Sequence, residues 1–199
     1  KWNDVAIVIA GSSRDAIVQD TRGFIVIEVS TNFYELSALY GIAKYLDKDC
    51  FANVDRFLFV QDTVQVRKGF LPMYAKFMKE MQDMQADVYY ASADRKCNLA
   101  GLSRNFLATH GLKYGINADK DKAWQAEHNG EFSFVKLAEE SGMKVMDAIP
   151  DALWLPGLVN YPESIIKRCM VYFASLDLFK LVATCDDNIN PPWQERCSP

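Results

Sequence analysis

A short apolar run that ends at a carboxylate constrains the fold of this chain more than any other stretch. The run is Phe57-Leu-Phe-Val60, and Gln61-Asp62-Thr63 follows it directly. Four such residues are too few for a helix and are typical of a strand buried on both faces. Open α/β sheets bind ligands beyond the carboxyl ends of their strands, so Asp62 is a candidate for the chemical centre. The alternative is that Asp62 only caps a turn or the next helix.

Similar runs recur along the chain with a helical pattern between two of them. Residues 5–10, 24–28 and 88–92 have strand character, and residues 36–46 carry apolar side chains at helical spacing. This alternation predicts βαβ units and a three-layer α/β fold with a mostly parallel central sheet. We expect the strands near 5–10, 24–28, 57–61 and 88–92 to lie side by side in that sheet.

The remaining pattern predicts further elements. A capping box formed by Asn32 and Glu35 is expected to start the first helix. Other predicted helices cover residues 73–84, the stretch that ends at Thr109, residues 132–138 with Gly142 as the C-cap residue, and residues 164–181. Residues 144–149 are the last predicted strand.

Size and charge limit the functional classes. The chain has 199 residues, half of them hydrophobic, and we interpret residues 1–199 as a single domain with its own core. The formal net charge is −4 and no basic patch is present, which argues against a nucleic-acid polymer as the main partner. A single nucleotide is still compatible with this charge. No apolar run reaches the roughly 20 residues of a membrane span.

Cysteine usage and the chain ends suggest an origin. Five cysteines occur at irregular spacing without a CxxC pair, which is typical of reduced thiols in the cytoplasm. The chain begins with Lys1 and ends with Pro199. We therefore expect it to have been cut from a longer multidomain protein.

The first predicted strand runs into a turn of small residues. After Ala10 come Gly11, Ser12, Ser13 and Arg14. Small residues at this position let a ligand approach the backbone, and their N–H groups can hold an anion. The turn matches neither GxGxxG nor a Walker loop, so an ordinary strand-to-helix turn is the alternative.

A second strand also ends in a carboxylate. Asp94 follows the predicted strand at 88–92, with Arg95 next to it and the small-residue stretch Cys97–Arg104 beyond. Two strands that both end in Asp support a ligand site better than one. The alternative for Asp94 and Arg95 is a surface salt bridge, which contributes little stability.

These segments resemble nucleotide-sugar-dependent glycosyltransferases of the GT-A fold. The matching parts are Val5–Ala10 with Gly11-Ser-Ser, Phe57–Val60 with Gln-Asp-Thr, and Val88–Ala91 with Asn98-Leu-Ala-Gly101. The similarity covers most of residues 4–145 and is greatest to amino-terminal glycosyltransferase domains of large chlorella virus proteins. It implies transfer of a hexosyl or deoxyhexosyl group from a UDP-linked sugar to a glycan acceptor in the host cytoplasm.

The resemblance also implies roles for particular residues. Gln61-Asp62-Thr63 stands where the family has its Asp-X-Asp metal motif, with only the middle residue acidic. Asp62 would bind Mn²⁺ or Mg²⁺, which neutralises the departing diphosphate. The implied donor-binding set is Ala10, Gly11, Ser12, Ser13, Arg14, Glu28, Gln61, Asp62, Asp94, Arg95, Asn98 and Gly101.

A polar cluster after the family-like core supplies the remaining candidates. If the reaction inverts the anomeric centre, Glu127 is the candidate base for the acceptor hydroxyl. The resemblance implies His128 as a further candidate metal ligand. A plain exposed glutamate and a surface histidine are the alternatives. Two other functions stay open: a sugar-phosphate nucleotidyltransferase, whose first loop would need a Gly-rich basic signature, and a non-catalytic module that binds nucleotide sugars.

Overall fold

The computed structural model describes residues 5–19, 24–61, 64–93, 99–119, 130–149, 153–155 and 167–184. Its helices are α1 (Ser37–Lys44), α2 (Phe70–Asp83), α3 (Arg104–His110) and α4 (Phe134–Glu140). Its strands are β1 (Ala6–Ala10), β2 (Ala16–Gln19), β3 (Ile25–Val29), β4 (Arg56–Phe59), β5 (Val64–Val66), β6 (Val88–Tyr90), β7 (Ala100–Ser103), β8 (Val145–Asp147), β9 (Leu153–Leu155), β10 (Lys167–Phe173) and β11 (Leu178–Thr184). This mixture of helices and strands confirms the predicted α/β class.

The chain forms two compact units, each assembled from separate stretches of sequence. The first comprises Lys1–Phe59, Gln85–Val88 and Gly101–Val145, and the second comprises Val60–Met84, Tyr89–Ala100 and Met146–Pro199. Neither unit is one continuous segment, because the chain passes from one to the other more than once. The interpretation of residues 1–199 as a single domain stays a prediction.

The described strands form three sheets, and these sheets are mixed rather than mostly parallel. Their strand orders are β1-β3-β2, β5-β11-β10-β9 and β4-β7-β6-β8. In the first sheet β1 and β3 are parallel, whereas β2 and β3 are antiparallel. In the second sheet the pairs with a defined register are antiparallel. The prediction that the four early strands lie side by side in one sheet was therefore wrong for the described residues.

Short connections account for the antiparallel pairs. The β2–β3 and β10–β11 connections are too short for the crossover that a parallel pair needs, so each pair forms a hairpin. Strand β2, which the sequence pattern did not predict, lies on one side of β3, and β1 lies on the other side. As a result, β1 and β3 are parallel neighbours whose carboxyl ends, Ala10 and Val29, lie in register.

Helix α1 covers one face of this first sheet. The β3 side chains Ile25, Ile27 and Val29 are buried, and α1 approaches them closely at Gly41. A Cβ atom added at Gly41 would lie 2.8 Å from Cγ1 of Val8, so a larger residue would overpack this contact. The packing keeps the β1–β3 pair fixed against the helix.

The predicted capping box is wrong. The residue before α1 is Leu36, and no side chain caps the helix. Asn32 Oδ1 instead accepts the N–H of Tyr34 at 3.1 Å, and Ser37 Oγ accepts the N–H of Phe33 at 2.6 Å. Asn32 thus bonds two residues ahead in a local turn, a competing use of Asx side chains, and α1 begins later than expected.

The helix predicted for residues 164–181 is wrong, because β10 and β11 form an antiparallel hairpin there. Burial alternates with period two at Val171, Tyr172 and Phe173, and the aromatic and β-branched residues of these strands suit a pleated surface. The turn places Asp177 in the left-handed region, at φ 47°. Of the apolar positions that suggested helical spacing, Met170 and Phe173 lie on β10, Phe179 lies on β11 and Leu176 lies in the turn between them.

Other predicted elements are confirmed with shifted bounds. Helices α2, α3 and α4 and strand β8 occupy the predicted stretches. Gly142 has φ +67° beyond the end of α4, and its N–H donates to Glu139 while the N–H of Met143 donates to Ala138. This is the Schellman pattern that the glycine predicted.

Asp177 organises the hairpin turn of the second unit. Its carboxylate accepts hydrogen bonds from Arg67 at 3.2 Å, from the N–H of Gly69 at 2.9 Å and from the Tyr172 hydroxyl at 2.8 Å. The bond from Tyr172 to this carboxylate raises the pKa of the tyrosine. The network ties the residues after β5 to the β10–β11 turn.

The described part of the chain contains no helix with the length and apolar character needed to cross a membrane.

Candidate functional site

The turn after β1 lies at the carboxyl ends of the parallel β1–β3 pair. Gly11 has φ +70°, a conformation that favours glycine, and it opens the turn. The N–H of Gly11 donates to Thr31 at 3.0 Å, and the N–H of Ser12 donates to Val29 at 2.9 Å. The turn therefore crosses the end of β3 and is held there by its own backbone.

These bonds correct one expectation from the sequence. The N–H groups of Gly11 and Ser12 are not available to an anion, because they donate to the carbonyl groups of Thr31 and Val29 at the end of β3 and just beyond it. A phosphate at this turn would therefore not be bound by the N–H groups of Gly11 and Ser12. The side chains available on the turn are the hydroxyls of Ser12 and Ser13 and the guanidinium of Arg14.

Arg14 and Glu28 are two predicted donor-binding residues that the structure brings together. Nε of Arg14 lies 3.5 Å from Oε2 of Glu28, and their side chains are 73% and 33% exposed. An ion pair with this exposure contributes little stability. The guanidinium can therefore exchange its partner for a ligand phosphate at small cost, since phosphate offers it the same bidentate geometry.

Two asparagines extend the polar surface beside the turn. Asn117 Oδ1 accepts the N–H of Asn32 at 2.7 Å, and the N–H of Ala118 donates to the Asn32 carbonyl at 3.0 Å. A Cβ atom added at Gly11 would lie 3.8 Å from Nδ2 of Asn32, so that amide lies next to the turn. Asn117 could not be identified from the sequence, because nothing in its surroundings matches a motif.

Asp15 is the charged residue of this region that the sequence analysis missed. Its Oδ1 accepts the N–H of Ser30 at 2.5 Å, and its Oδ2 accepts from the Lys44 ammonium and from the Tyr40 hydroxyl, the latter at 3.5 Å. The hydrogen bond from Lys44, followed by that from Ser30, lowers the pKa of Asp15 to about 2. Its position directly after the small-residue turn was the available signal.

The other predicted site residues are distributed as follows. Ala10 is the last residue of β1, and Gly101 is buried within β7. Gln61 comes after the end of β4 and belongs to the second unit. Asp62, Asp94, Arg95, Asn98, Glu127 and His128 lie outside the described residues. The structure thus bears on the nucleotide side of the predicted site, at residues 10–14 and 28.

A metal centre cannot be assembled from the described residues. No group of three or more His, Cys, Asp or Glu side chains within them could hold a metal ion. The metal ligands that the resemblance implies, Asp62 and His128, are both among the residues outside the description. The metal therefore stays a prediction of the sequence.

His110 is a buried titratable group in the same unit. It is 2% exposed, its Nε2 lies 3.0 Å from Oγ of Ser141, and its ring packs on Phe106. Nδ1 has no hydrogen-bond partner within the described part of the chain. Burial, with a smaller contribution from Lys113, lowers the pKa of His110, while Glu140 and the Leu137 carbonyl act in the opposite direction.

We expect the stability of this unit to fall as the pH drops below the ordinary histidine pKa. The unfolded chain takes up a proton near pH 6.5, whereas folded His110 resists it, so acidification favours unfolding until the lowered native pKa is reached. Urea unfolding at pH 7.5 and at pH 5.0 measures the loss. His110→Gln cannot titrate and should lose less free energy of unfolding than the wild type over this interval. An equal loss in both proteins would contradict the assignment.

No family model, curated protein or solved structure matches this chain.

Proposed function

We propose that this chain is a glycosyltransferase that takes its sugar from a nucleoside-diphosphate sugar, with UDP as the nucleotide and a glycan as the acceptor. The observation that carries the proposal is the exposed Arg14–Glu28 pair beside the Gly11 turn, at the carboxyl ends of parallel strands β1 and β3. Open α/β sheets bind ligands at this position. The resemblance of the sequence to GT-A glycosyltransferases indicates that this ligand is a nucleotide sugar.

The two charged side chains suit different parts of a nucleotide. Arg14 carries a permanent positive charge and a planar set of donors that fits a phosphate. Glu28 is an acceptor for ribose hydroxyls or base N–H groups, and phosphate binding to Arg14 would release it from the ion pair. The amides of Asn32 and Asn117 add donors and acceptors nearby.

The residues proposed for the chemical step are identified from the sequence alone, because they lie outside the described residues. Asp62 and His128 are the proposed ligands of Mn²⁺ or Mg²⁺, which when bound would supply a Lewis acid for the charge on the departing diphosphate. Glu127 is the proposed base that accepts the proton of the attacking acceptor hydroxyl. Asp94, Arg95 and Asn98 are proposed to bind the donor sugar.

The finer architecture is part of the same proposal. A three-layer GT-A arrangement and a cytoplasmic location accompany the function. The small-residue turn, the parallel β1–β3 pair and helix α1 on the sheet support the architecture.

A ligand panel tests the proposal. Thermal unfolding is followed with UDP-, GDP-, CDP- and dTDP-sugars, each with and without Mn²⁺, since a specific ligand raises the midpoint by mass action. We expect a Mn²⁺-dependent rise with one nucleotide class. Arg14→Gln should abolish most of that rise, and Lys48→Gln, an exposed cation on the same unit, should not.

The panel also separates the alternatives. A rise that does not depend on Mn²⁺, without sugar transfer, would favour the non-catalytic binding module. Pyrophosphate released from a sugar phosphate and a nucleoside triphosphate would favour the nucleotidyltransferase. No rise with any nucleotide sugar would contradict the proposed function.

A further inference from the structure

Asp15 joins three separate parts of the first unit. Its carboxylate accepts from the backbone N–H of Ser30, just after β3, and from Lys44 and Tyr40, both on α1. The Lys44 ammonium also donates to the Tyr40 hydroxyl at 3.3 Å. The Asp15 side chain is 18% exposed, so the carboxylate is largely enclosed by these donors.

This network closes the Gly11 turn at its second end. The first end is held by the bonds from Gly11 and Ser12 to Thr31 and Val29. Asp15 comes directly after Arg14 and is tied to Ser30. Both ends of the Gly11–Arg14 turn are therefore fixed to the same short stretch, residues 29–31.

We propose that Asp15 is a positioning residue that holds the Gly11–Arg14 turn, and with it the Arg14 guanidinium, in the conformation that receives the nucleotide. The inference rests on the proposed function. Asp15 acts through Ser30 and Lys44 and does not touch the nucleotide, because its carboxylate already accepts hydrogen bonds from protein donors at both oxygens.

The charges of Asp15 and Lys44 indicate an ion pair that persists across the working pH range and is not broken by a change of pH. The Lys44 hydrogen bond, followed by that from the Ser30 N–H, lowers the pKa of Asp15 to about 2, so its carboxylate is ionised near neutral pH. Asp15 in turn raises the pKa of Lys44, with Tyr40 contributing in the same direction. Both partners thus keep their charges throughout the pH range in which nucleotide binding would be measured.

Two variants separate the parts of the network. Asp15→Asn keeps the size of the side chain and an oxygen for Ser30, but removes the charge that binds Lys44. Lys44→Met keeps most of the stem and removes the ammonium. The matched control is Asp83→Asn, which breaks an exposed ion pair with Lys79 on α2.

The first measurement is amide hydrogen exchange of Gly11, Ser12 and Ser30 in the protein without ligand. We expect these amides to exchange faster in Asp15→Asn and in Lys44→Met than in the wild type. In Asp83→Asn they should exchange at the wild-type rate. Unchanged exchange in both network variants overturns the inference. This test does not require that the protein bind a nucleotide, so it remains decisive even if the proposed function fails.

The second measurement is the affinity for UDP with Mn²⁺ by calorimetry, and steady-state transfer or hydrolysis of the donor that the panel identifies. Asp15→Asn is expected to weaken UDP binding roughly tenfold, the size typical of one charge-assisted hydrogen bond. The donor KM should rise in step while kcat stays near the wild-type value. The double variant Asp15→Asn, Lys44→Met should bind UDP with about the same affinity as the weaker of the two single variants, because the two residues act as one unit.

A structural role without positioning would give a different pattern. In that case stability and kcat would fall together and the donor KM would stay unchanged, which overturns the inference. Wild-type protein that binds no UDP would refute the proposed function instead, and the exchange data would then decide the role of Asp15 alone.

Discussion

Asp62→Asn is expected to lower sugar transfer about a thousandfold and to remove the Mn²⁺ dependence of UDP binding. The substitution keeps the size of the side chain and removes the charge that would hold the cation. Loss of a metal Lewis acid or of a single electrostatic stabiliser costs up to roughly 4 kcal/mol of transition-state stabilisation, which corresponds to a fall in rate of about a thousandfold. Neither Gln61 nor Thr63 supplies a second carboxylate that could replace it.

The control for this prediction is Asp94→Asn. It should weaken use of the donor sugar while leaving Mn²⁺-dependent UDP binding largely intact. Single-turnover transfer and calorimetry on both variants give the two quantities. An Asp62→Asn protein that binds UDP with the wild-type Mn²⁺ dependence would show that the metal site is centred on another residue.

Gly111→Ala is expected to destabilise the first unit by about 3 kcal/mol, at the upper end of typical overpacking costs. Gly111 follows α3, and an added Cβ would lie 2.3 Å from Cβ of Ala43 and 3.1 Å from the Leu39 carbonyl oxygen. Both atoms belong to the rigid part of α1, so neither can rotate away. The backbone of Gly111 itself is ordinary, with φ −57°, so the cost is steric.

Urea unfolding of two further proteins checks this explanation. Thr109→Ala, at an exposed position near the end of α3, should stay within about 0.5 kcal/mol of the wild type. Ala43→Gly added to Gly111→Ala should recover part of the loss, because it removes the closest atom. A Gly111→Ala protein as stable as the wild type would mean that α1 and the end of α3 are not packed as described.

The sequence predicted elements where the local pattern and the tertiary environment agree. β3 buries Ile25, Ile27 and Val29, β6 is buried throughout, and Gly142 ends α4 as its chemistry requires. β7 was not predicted, because Ala100-Gly-Leu-Ser103 has no strand propensity. Its small residues are all buried, and it lies between β4 and β6, so packing determines its conformation.

Strand pairing and side-chain hydrogen-bond networks could not be predicted from the sequence, because they depend on residues that are far apart along the chain. Whether Phe173 and Leu178 belong to one helix or to two strands depends on the turn at Asp177, which is stabilised by the distant Arg67. The Asp15 network joins residues 15, 30 and 44, which no local motif connects. Arg14 and Glu28 were each candidates for donor binding, but their 3.5 Å contact was not predicted and is seen only in the structure.

The most direct test of the central claim is a crystal structure of the protein with UDP and Mn²⁺. The proposed function predicts that the nucleotide lies against Gly11–Arg14, that the Arg14 guanidinium has left Glu28 for a phosphate oxygen, and that Asp62 reaches the cation at the diphosphate. A nucleotide bound away from the carboxyl ends of β1 and β3, with the Arg14–Glu28 pair intact, would contradict it.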